Sequence, residues 1–472
     1  MANELKDAVK VQNVEVVRHG EKLTLPQDLE IGEAIKLLKR RQEFEDSTTM
    51  IIGQFDVFPW DGSLAMFEVL KDKFGWSEHQ GATIMVESGI NETVSVPWGK
   101  FEIPGIDGVF QTDVHRTNSG RFQFELKGSV KRKHEHIVKE LMEAISKKLL
   151  TSSIYRGKAI SVAFVDDAGD PYPMPQPKFI DVSKTDERSV AYAKPVADAI
   201  ETNLFTPIRR MRELEANGLK LQRSVLLGGV FGTGKTLAAA IAAKLAVENG
   251  MTYIYVAHSR DLKAAIEFGR QYQDPACMIF CEDIDRVLNG DNDRNEETDF
   301  LLNIVDGIDT KNDRRMLVFT TNALDKIEPA MLRPGRLDAV IEITPPDAAA
   351  AWKLVQIYGG DTLSNDMDAT AIGHALQGQI PAVIAEVVKR AKLSQLKLTP
   401  VGHKVHNIST EAILDAAQTM VRQSALLNRT APVPTKLDEA MAVVGAALQG
   451  VEDVAEDRDV IRITSQRARA AG

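Results

Sequence analysis

Apolar positions along this chain follow first a mixed period, then an alternating one, then a purely helical one. Up to about residue 165, LEIGEAIKLLKRRQEFE (29–45) and SLAMFEVLKDKFG (63–75) carry apolar residues at helical spacing. TMIIGQF (49–55) and RFQFELKG (121–128) predict extended segments, and GKAISVAFVDD (157–167) predicts a strand that closes this first region. FPWDG (58–62) and VPW (96–98) predict turns that pack their tryptophans rather than a ligand surface. AGDPYPMPQPK (168–178) holds four prolines in eleven positions, which favours an extended linker and places a domain boundary there.

Beyond that stretch apolar strands alternate with amphipathic helices. RSVLLGGV, TLAAAIAAKLAVENG, MTYIYVA, RDLKAAIEFGRQY, CMIFCED, a helix through DFLLNIVDG, and MLVFTTN follow one another. Such alternation predicts a parallel sheet with crossover helices. From about residue 348 the strands stop, and DAAAAWKLVQIYG, ATAIGHAL, IPAVIAEVVKRAKL and STEAILDAAQTMVRQSALL predict a small helical domain. The expected organisation is an α+β N-terminal domain (1–167), a proline-rich linker (168–178), an α/β domain (179–347), a helical domain (348–450) and a charged tail (451–472).

Composition narrows the class. At 472 residues the chain exceeds one compact core, and its 44% apolar and 26% charged content is ordinary for a globular protein. A net charge of -10 argues against non-specific coating of nucleic acid. Only Cys277 and Cys281 occur, at a spacing that is neither CxxC nor a zinc pattern, which predicts reduced core thiols. MANELKDAVK is charged where a signal peptide is greasy, and no apolar run approaches the roughly 18 residues of a membrane helix. A cytoplasmic protein without a membrane span is expected. KGSVKRKHEHIVKELMEAISKK (127–148) has a basic start, but its interleaved glutamates favour a solvated helix face over a nucleic-acid contact. His134 and His136, two apart, suggest no metal site.

Three stretches carry chemistry. Gly229-Val230-Phe231-Gly232-Thr233-Gly234-Lys235-Thr236 satisfies GxxxxGK[ST], follows an apolar strand and opens an alanine-rich helix. Its glycines let backbone N–H groups turn around phosphate oxygens, Lys235 reaches the β and γ phosphates, and the Thr236 hydroxyl takes a place on Mg²⁺. MIFCEDIDRVL (278–288) then ends a strand on two acids, of which Glu282 takes the metal role by position and Asp283 the water-orienting role. MLVFTTNALDKIEPAMLRPGRLD (316–338) ends a third strand on Asn322, and Arg333 and Arg336 are expected three apart on a following helix, as groups that neutralise charge on a transferring phosphoryl group.

GVFGTGKT, IFCEDID and TTNALDKIEPAMLRPGRLD together resemble the AAA family of ATPases within the AAA+ superfamily, over roughly residues 176 to 430. The resemblance implies a P-loop α/β fold with a helical lid, ATP and Mg²⁺ as cofactors, and a homo-oligomeric, hexameric ring with ATP at each subunit boundary. It implies that Asn322 is the polar sensor, and that Arg333 and Arg336 are fingers reaching the next subunit's site. KFIDVS (178–183) resembles the segment whose backbone holds adenine, which nominates Asp181 and Val182, and GQIPAVIAEVVKRA (378–391) takes the place of the lid motif, which nominates Gln379.

This sequence departs from the family in three places. The acid pair is reversed, with Glu282 before Asp283. Pro381-Ala382-Val383 replaces the usual glycine-alanine-aspartate-like lid sequence. Phe268-Gly269, the one aromatic-glycine pair where threading members carry a pore loop, has helical spacing with Leu262, Ala265 and Ile266 that assigns it to a core, with Ser259 as the helix cap. The expected function is a ring-forming ATPase that remodels a protein or assembly, without a conventional aromatic pore loop. An ATP-dependent oligomeric switch or scaffold with slow turnover, and a nucleic-acid-acting motor or loader, are the alternatives.

Overall fold

The structure, a computed structural model, describes residues 15–18, 21–24, 29–75, 81–166, 168–284, 313–327, 331, 333 and 336–430. The helix expected through 299–307, the N-terminal MANELKDAVK and the charged tail lie outside the described residues. The chain divides into two compact units, 1–346 and 347–472.

In the first unit, β1 (Glu15–Arg18) and β2 (Glu21–Thr24) pair antiparallel, and α1 (Ile31–Asp46) follows. β3 (Thr48–Phe55), α2 (Pro59–Phe74), the hairpin of β4 (Ala82–Gly89) and β5 (Glu92–Trp98), β6 (Lys100–Phe101), β7 (Gly108–Arg116), β8 (Phe122–Lys131) and α3 (Glu135–Leu149) come next. β3, β8, β7 and β6 form an antiparallel sheet in that order. α2 starts on Pro59, whose missing N–H costs nothing in a first helical turn, and stops at Gly75 with φ 62°. Its buried face, with Met66 and Leu70, shares a core with Phe110, Phe124 and Leu126 of the sheet and with Leu141 and Ile145 of α3.

The large sheet has seven strands. They are β9 (Ala159–Ser161), β10 (Lys178–Phe179), β11 (Arg223–Gly228), β12 (Thr252–Val256), β13 (Cys277–Cys281), β14 (Arg315–Thr321) and β15 (Ala339–Glu342), in spatial order β10-β9-β12-β13-β14-β11-β15. β9 and β11 to β15 run parallel and β10 pairs antiparallel with β9. β11 to β14 are almost wholly buried, as expected of parallel strands covered on both faces. Helices α4 (Lys194–Ile200), α5 (Thr206–Arg209) and α6 (Met211–Ala216) precede β11; α7 (Lys235–Glu248) and α8 (Leu262–Gly269) follow β11 and β12. Cys277 and Cys281 are free, and burial pushes both thiols up to about 12.

The proline-rich stretch does not separate two sheets. β9, before it, and β10, after it, pair with each other in the large sheet (Lys178↔Ser161, Phe179↔Ile160), so the strand predicted to close the first region belongs to the second. Without β9, the backbone of β12 would present an unpaired edge. The two regions also share side chains. Phe58, Trp60, Val86 and Val96 lie in one core with Ile254, Phe268 and Leu317. Phe268 is 2% exposed and meets the Phe58 ring edge-on at 5.4 Å. The Trp60 and Trp98 rings meet at 5.1 Å, so the predicted tryptophan turns are packing elements, although Pro59 and Trp60 already belong to α2. Ser259 makes no cap hydrogen bond; it opens a 3-10 turn (Ser259–Asp261), one turn ahead of α8, and Asp261 accepts the backbone N–H groups of Phe164 and Val165.

A buried carboxylate ties the shared core together. Asp61 of α2 accepts hydrogen bonds from the Ile154 N–H (2.5 Å), the Ser153 hydroxyl (2.8 Å) and the Tyr272 hydroxyl (3.1 Å) just beyond α8. Gln271 adds a bond from its amide to the Phe122 carbonyl at 2.7 Å.

The second unit contains the helices Ala348–Gly359, Ala369–Leu376, Pro381–Leu398 and Thr410–Thr430. The first two are capped by Asp347 and Asp368, whose side chains accept the Ala350 and Ala371 N–H groups. No helix of the described residues is long and apolar enough to cross a membrane.

Burial raises the Asp61 carboxyl from 3.8 to about 6. Between those values the folded chain holds a proton that the unfolded chain has released, so this group's contribution to stability falls as pH rises. The difference in unfolding free energy between wild type and Asp61→Asn is therefore expected to shift by up to about 3 kcal/mol from pH 4 to pH 7, with wild type relatively more stable at the acid end. Chemical denaturation at both pH values measures it; identical pH slopes for the two proteins contradict the assignment.

Candidate active site

Parallel pairing fixes which loops meet. Gly228 of β11 stands opposite Thr321 of β14, and Cys281 of β13 stands opposite Phe319 of β14. The segments leaving the C-terminal ends of these three neighbouring strands are the glycine-rich loop, Glu282-Asp283 and Asn322. Open parallel sheets place ligands at that edge.

The loop has the backbone of a phosphate cradle. Gly229, Gly232 and Gly234 have φ of 146°, 78° and 98°, values that L side chains rarely adopt. A Cβ on Gly229 would stand 2.4 Å from the Ile343 carbonyl oxygen, so no larger residue fits. Gly234 leads directly into α7, whose fourteen residues aim their first N–H groups at the loop. Lys235 is buried, and its Nζ donates to the carbonyls of Gly229 (2.7 Å) and Val230 (2.9 Å), folding the side chain back along the loop. The buried Thr233 hydroxyl donates to the Val230 carbonyl at 2.9 Å. Thr236, Val230 and Phe231 are exposed. A helix N-terminus preceded by a glycine-rich turn and carrying a buried ammonium fits a nucleoside triphosphate.

The two acids diverge. Asp283 has φ 48°, a left-handed conformation uncommon outside glycine, and one carboxylate oxygen accepts the Asn322 side-chain amide at 2.8 Å. Its N–H donates to the Thr320 hydroxyl at 3.2 Å, and the next N–H, of Ile284, donates to the Thr320 carbonyl at 2.9 Å. Glu282 accepts the Tyr255 hydroxyl at 3.1 Å from the other neighbouring strand, β12. Both acids are half-buried.

Other nominated residues take different places. Arg333 is exposed and Arg336 half-buried; they sit in a turn, with the Arg336 N–H donating to the Arg333 carbonyl at 3.2 Å, not on the helix expected there. A Pro-Gly sequence between them disfavours helix by residue type. Asp181 is exposed and accepts from the hydroxyl and N–H of Ser183, with Lys184 3.3 Å away; these bonds hold its carboxyl below the usual range. Val182 packs half-buried against the core under β11 and α7. Gln379 belongs to the second unit, where its N–H donates to the Leu376 carbonyl at 3.1 Å ahead of the helix Pro381–Leu398.

Sequence reasoning missed two tyrosines. Tyr192 donates its hydroxyl to the Gly234 carbonyl at 2.9 Å, so the segment seen against the loop includes Tyr192. Tyr255 holds Glu282, as above. Neither belongs to a recognised motif; the polar tip on β12 beside the acid pair was the available signal.

The cations of 127–148 are largely engaged within the protein. Lys127 binds Asp113 (2.6 Å) and Glu125 (2.7 Å), Lys133 binds Asp107 (2.7 Å), Lys139 binds Glu135 (2.8 Å), Lys148 binds Glu68 (3.1 Å), and Arg132 lies over the Phe44 ring. The expected single helix starts only at Glu135: Lys127 to Lys131 belong to β8, and of these pairs only Lys139–Glu135 uses a glutamate of the stretch itself. Among the described residues no group of three or more His, Cys, Asp or Glu is placed to hold a metal ion.

Comparison with known proteins follows the same residues. The family model of the ATPase family associated with various cellular activities (AAA) matches residues 225–345. Similar relatives are ATP-dependent zinc metalloproteases FtsH. That of Rubrobacter xylanophilus is 29% identical over 59% of this chain and 44% of its own length. Those of Cutibacterium acnes and Corynebacterium glutamicum are 29% and 30% identical, over 50% and 52% of this chain and 35% and 29% of theirs. The chain spans less than half the length of these relatives.

Gly229→Ala is expected to weaken ATP binding by about tenfold or more, because the positive φ and the Ile343 carbonyl both oppose a side chain. Isothermal titration with ATP measures it; wild-type affinity in a folded variant contradicts the cradle. From the strand ahead of the loop to β15, the chain carries an ATPase domain of the AAA family, whose cofactors are ATP and Mg²⁺.

Proposed function

We propose that this chain hydrolyses ATP as a subunit of a ring, most simply a hexamer, and uses the cycle to remodel a protein or assembly engaged by its N-terminal region. The observation that carries the proposal is the Asn322–Asp283 hydrogen bond of 2.8 Å, formed at the same sheet edge as the glycine-rich loop. ATP with Mg²⁺ supplies the transferable phosphoryl group and the divalent charge that offsets its oxygens. Around them, the backbone N–H groups of Gly229 to Thr236 cradle phosphate, and Lys235 exchanges its two carbonyl partners for phosphate oxygens. The Thr236 hydroxyl and Glu282 take the metal side. Asn322 fixes Asp283 through one oxygen, and the other, Oδ2, accepts the proton of the attacking water.

Arg333 and Arg336 act on a neighbouring subunit's phosphates. The exposed Arg333 and the turn that places it at the surface support that role. Asp181, Val182 and Gln379 are proposed on the nucleoside side from the family resemblance alone. The burial of Phe268 supports a ring that works without a conventional aromatic pore loop. The reading as a slowly cycling switch or scaffold is favoured by one observation, the left-handed backbone that the shorter acid adopts at Asp283.

The ring reading is tested by mixing two inactive proteins. Arg333→Ala and Asp283→Asn subunits should each release phosphate at a small fraction of the wild-type rate. Mixed rings should recover part of it, because each intact half-site meets its complement across a boundary. Phosphate release that stays at the sum of the separate variants contradicts action between subunits. A wild-type rate that is negligible while ATP still drives assembly favours the switch.

A further inference from the structure

We propose that Tyr255 is a positioning residue for Glu282, which offsets the exchanged acid order by anchoring the longer carboxylate toward β12 while Asp283 turns toward β14; this rests on the ATPase reading above. β13 has β12 on one side and β14 on the other, and β11 with its phosphate loop lies beyond β14. The Tyr255 hydroxyl donates to Glu282 Oε2 at 3.1 Å from the β12 side. The Asn322 amide donates to Asp283 Oδ1 at 2.8 Å from the β14 side. Consecutive carboxylates are therefore held from opposite neighbouring strands.

The chemistry of the exchange explains the need for such an anchor. A glutamate where an aspartate is usual has one more methylene and one more free torsion, so its carboxylate samples a wider arc. A hydrogen bond from a fixed donor to one oxygen removes much of that arc and would leave Oε1 available to a bound metal. Tyr255 is a fixed donor. Its ring packs at 5.9 Å against Phe280, the residue opposite it in the β12–β13 register, and Tyr253 stacks on the same Phe280 from the strand's inner end. The shorter acid needs the complementary device. The positive φ of Asp283 swings the side chain toward Asn322, and the two Thr320 contacts hold the backbone there.

The test is binding of a fluorescent ATP analogue to the full chain, titrated with Mg²⁺. Tyr255→Phe should raise the Mg²⁺ concentration for half-maximal enhancement by about threefold to tenfold, the range for losing an ordinary net hydrogen bond, while metal-free binding stays as in wild type. Glu282→Asp is too short to reach the hydroxyl, so it should lose the same anchor, and adding Tyr255→Phe to it should change nothing further. Wild-type Mg²⁺ dependence in Tyr255→Phe overturns the proposal, as do fully additive effects in the double variant. A lower Mg²⁺ requirement overturns it too, since the tyrosine would then restrain Glu282 from the metal. A wild-type chain that binds the analogue at no Mg²⁺ concentration fails the ATPase reading itself, whereas normal binding with an unaltered Tyr255→Phe profile fails only the anchor.

Discussion

Parallel hydrogen bonding between β11, β14 and β13 is the constraint from which the rest of the site follows. Gly228 opposite Thr321 and Cys281 opposite Phe319 set three strand ends side by side. A shift of either pairing by one residue would turn every side chain on that strand to the opposite face. It would also move Asn322 away from Asp283. The buried strands and the alanine-rich α7 over them resist such a shift, because slipping would break a core that includes Val225, Leu227, Ala238, Ala242, Met278 and Val318.

The same sheet accounts for the way the N-terminal region is attached. β9 extends it beyond β12, and Phe58 and Trp60 fill the core beneath α8. The Asp61 carboxylate then joins α2, the segment at Ser153 and Ile154, and Tyr272 in one set of hydrogen bonds. An N-terminal region held in this way is physically continuous with the strand that carries Tyr255 and, one strand further, with the acid pair.

Much of the site was legible in the sequence because its motifs are local. Lys235, the three glycines with positive φ and the strand-ending Asn322 are each announced by a few contiguous residues, and the buried fate of Phe268 follows from its spacing with Leu262, Ala265 and Ile266. What was not legible depends on pairing between distant segments. A strand of three residues before four prolines looks like the end of a domain until β12 needs a neighbour. Arg333 and Arg336 have helical spacing, but the bond from the Arg336 N–H to the Arg333 carbonyl closes a turn instead. Tyr192 and Tyr255 act through single hydroxyls that meet Gly234 and Glu282 only in three dimensions.

The exchanged acids thus look less like a damaged motif than like one rebuilt with different lengths of side chain. Asp283 reaches its partner through an unusual backbone angle, and Glu282 is held at the end of its longer arm. The most direct test of this account restores the usual order with Glu282→Asp and Asp283→Glu together and measures steady-state phosphate release. If the native surroundings are fitted to the exchanged pair, the restored order hydrolyses ATP no faster than the native chain. A large gain in rate would contradict the account, and would show that the native order holds turnover down.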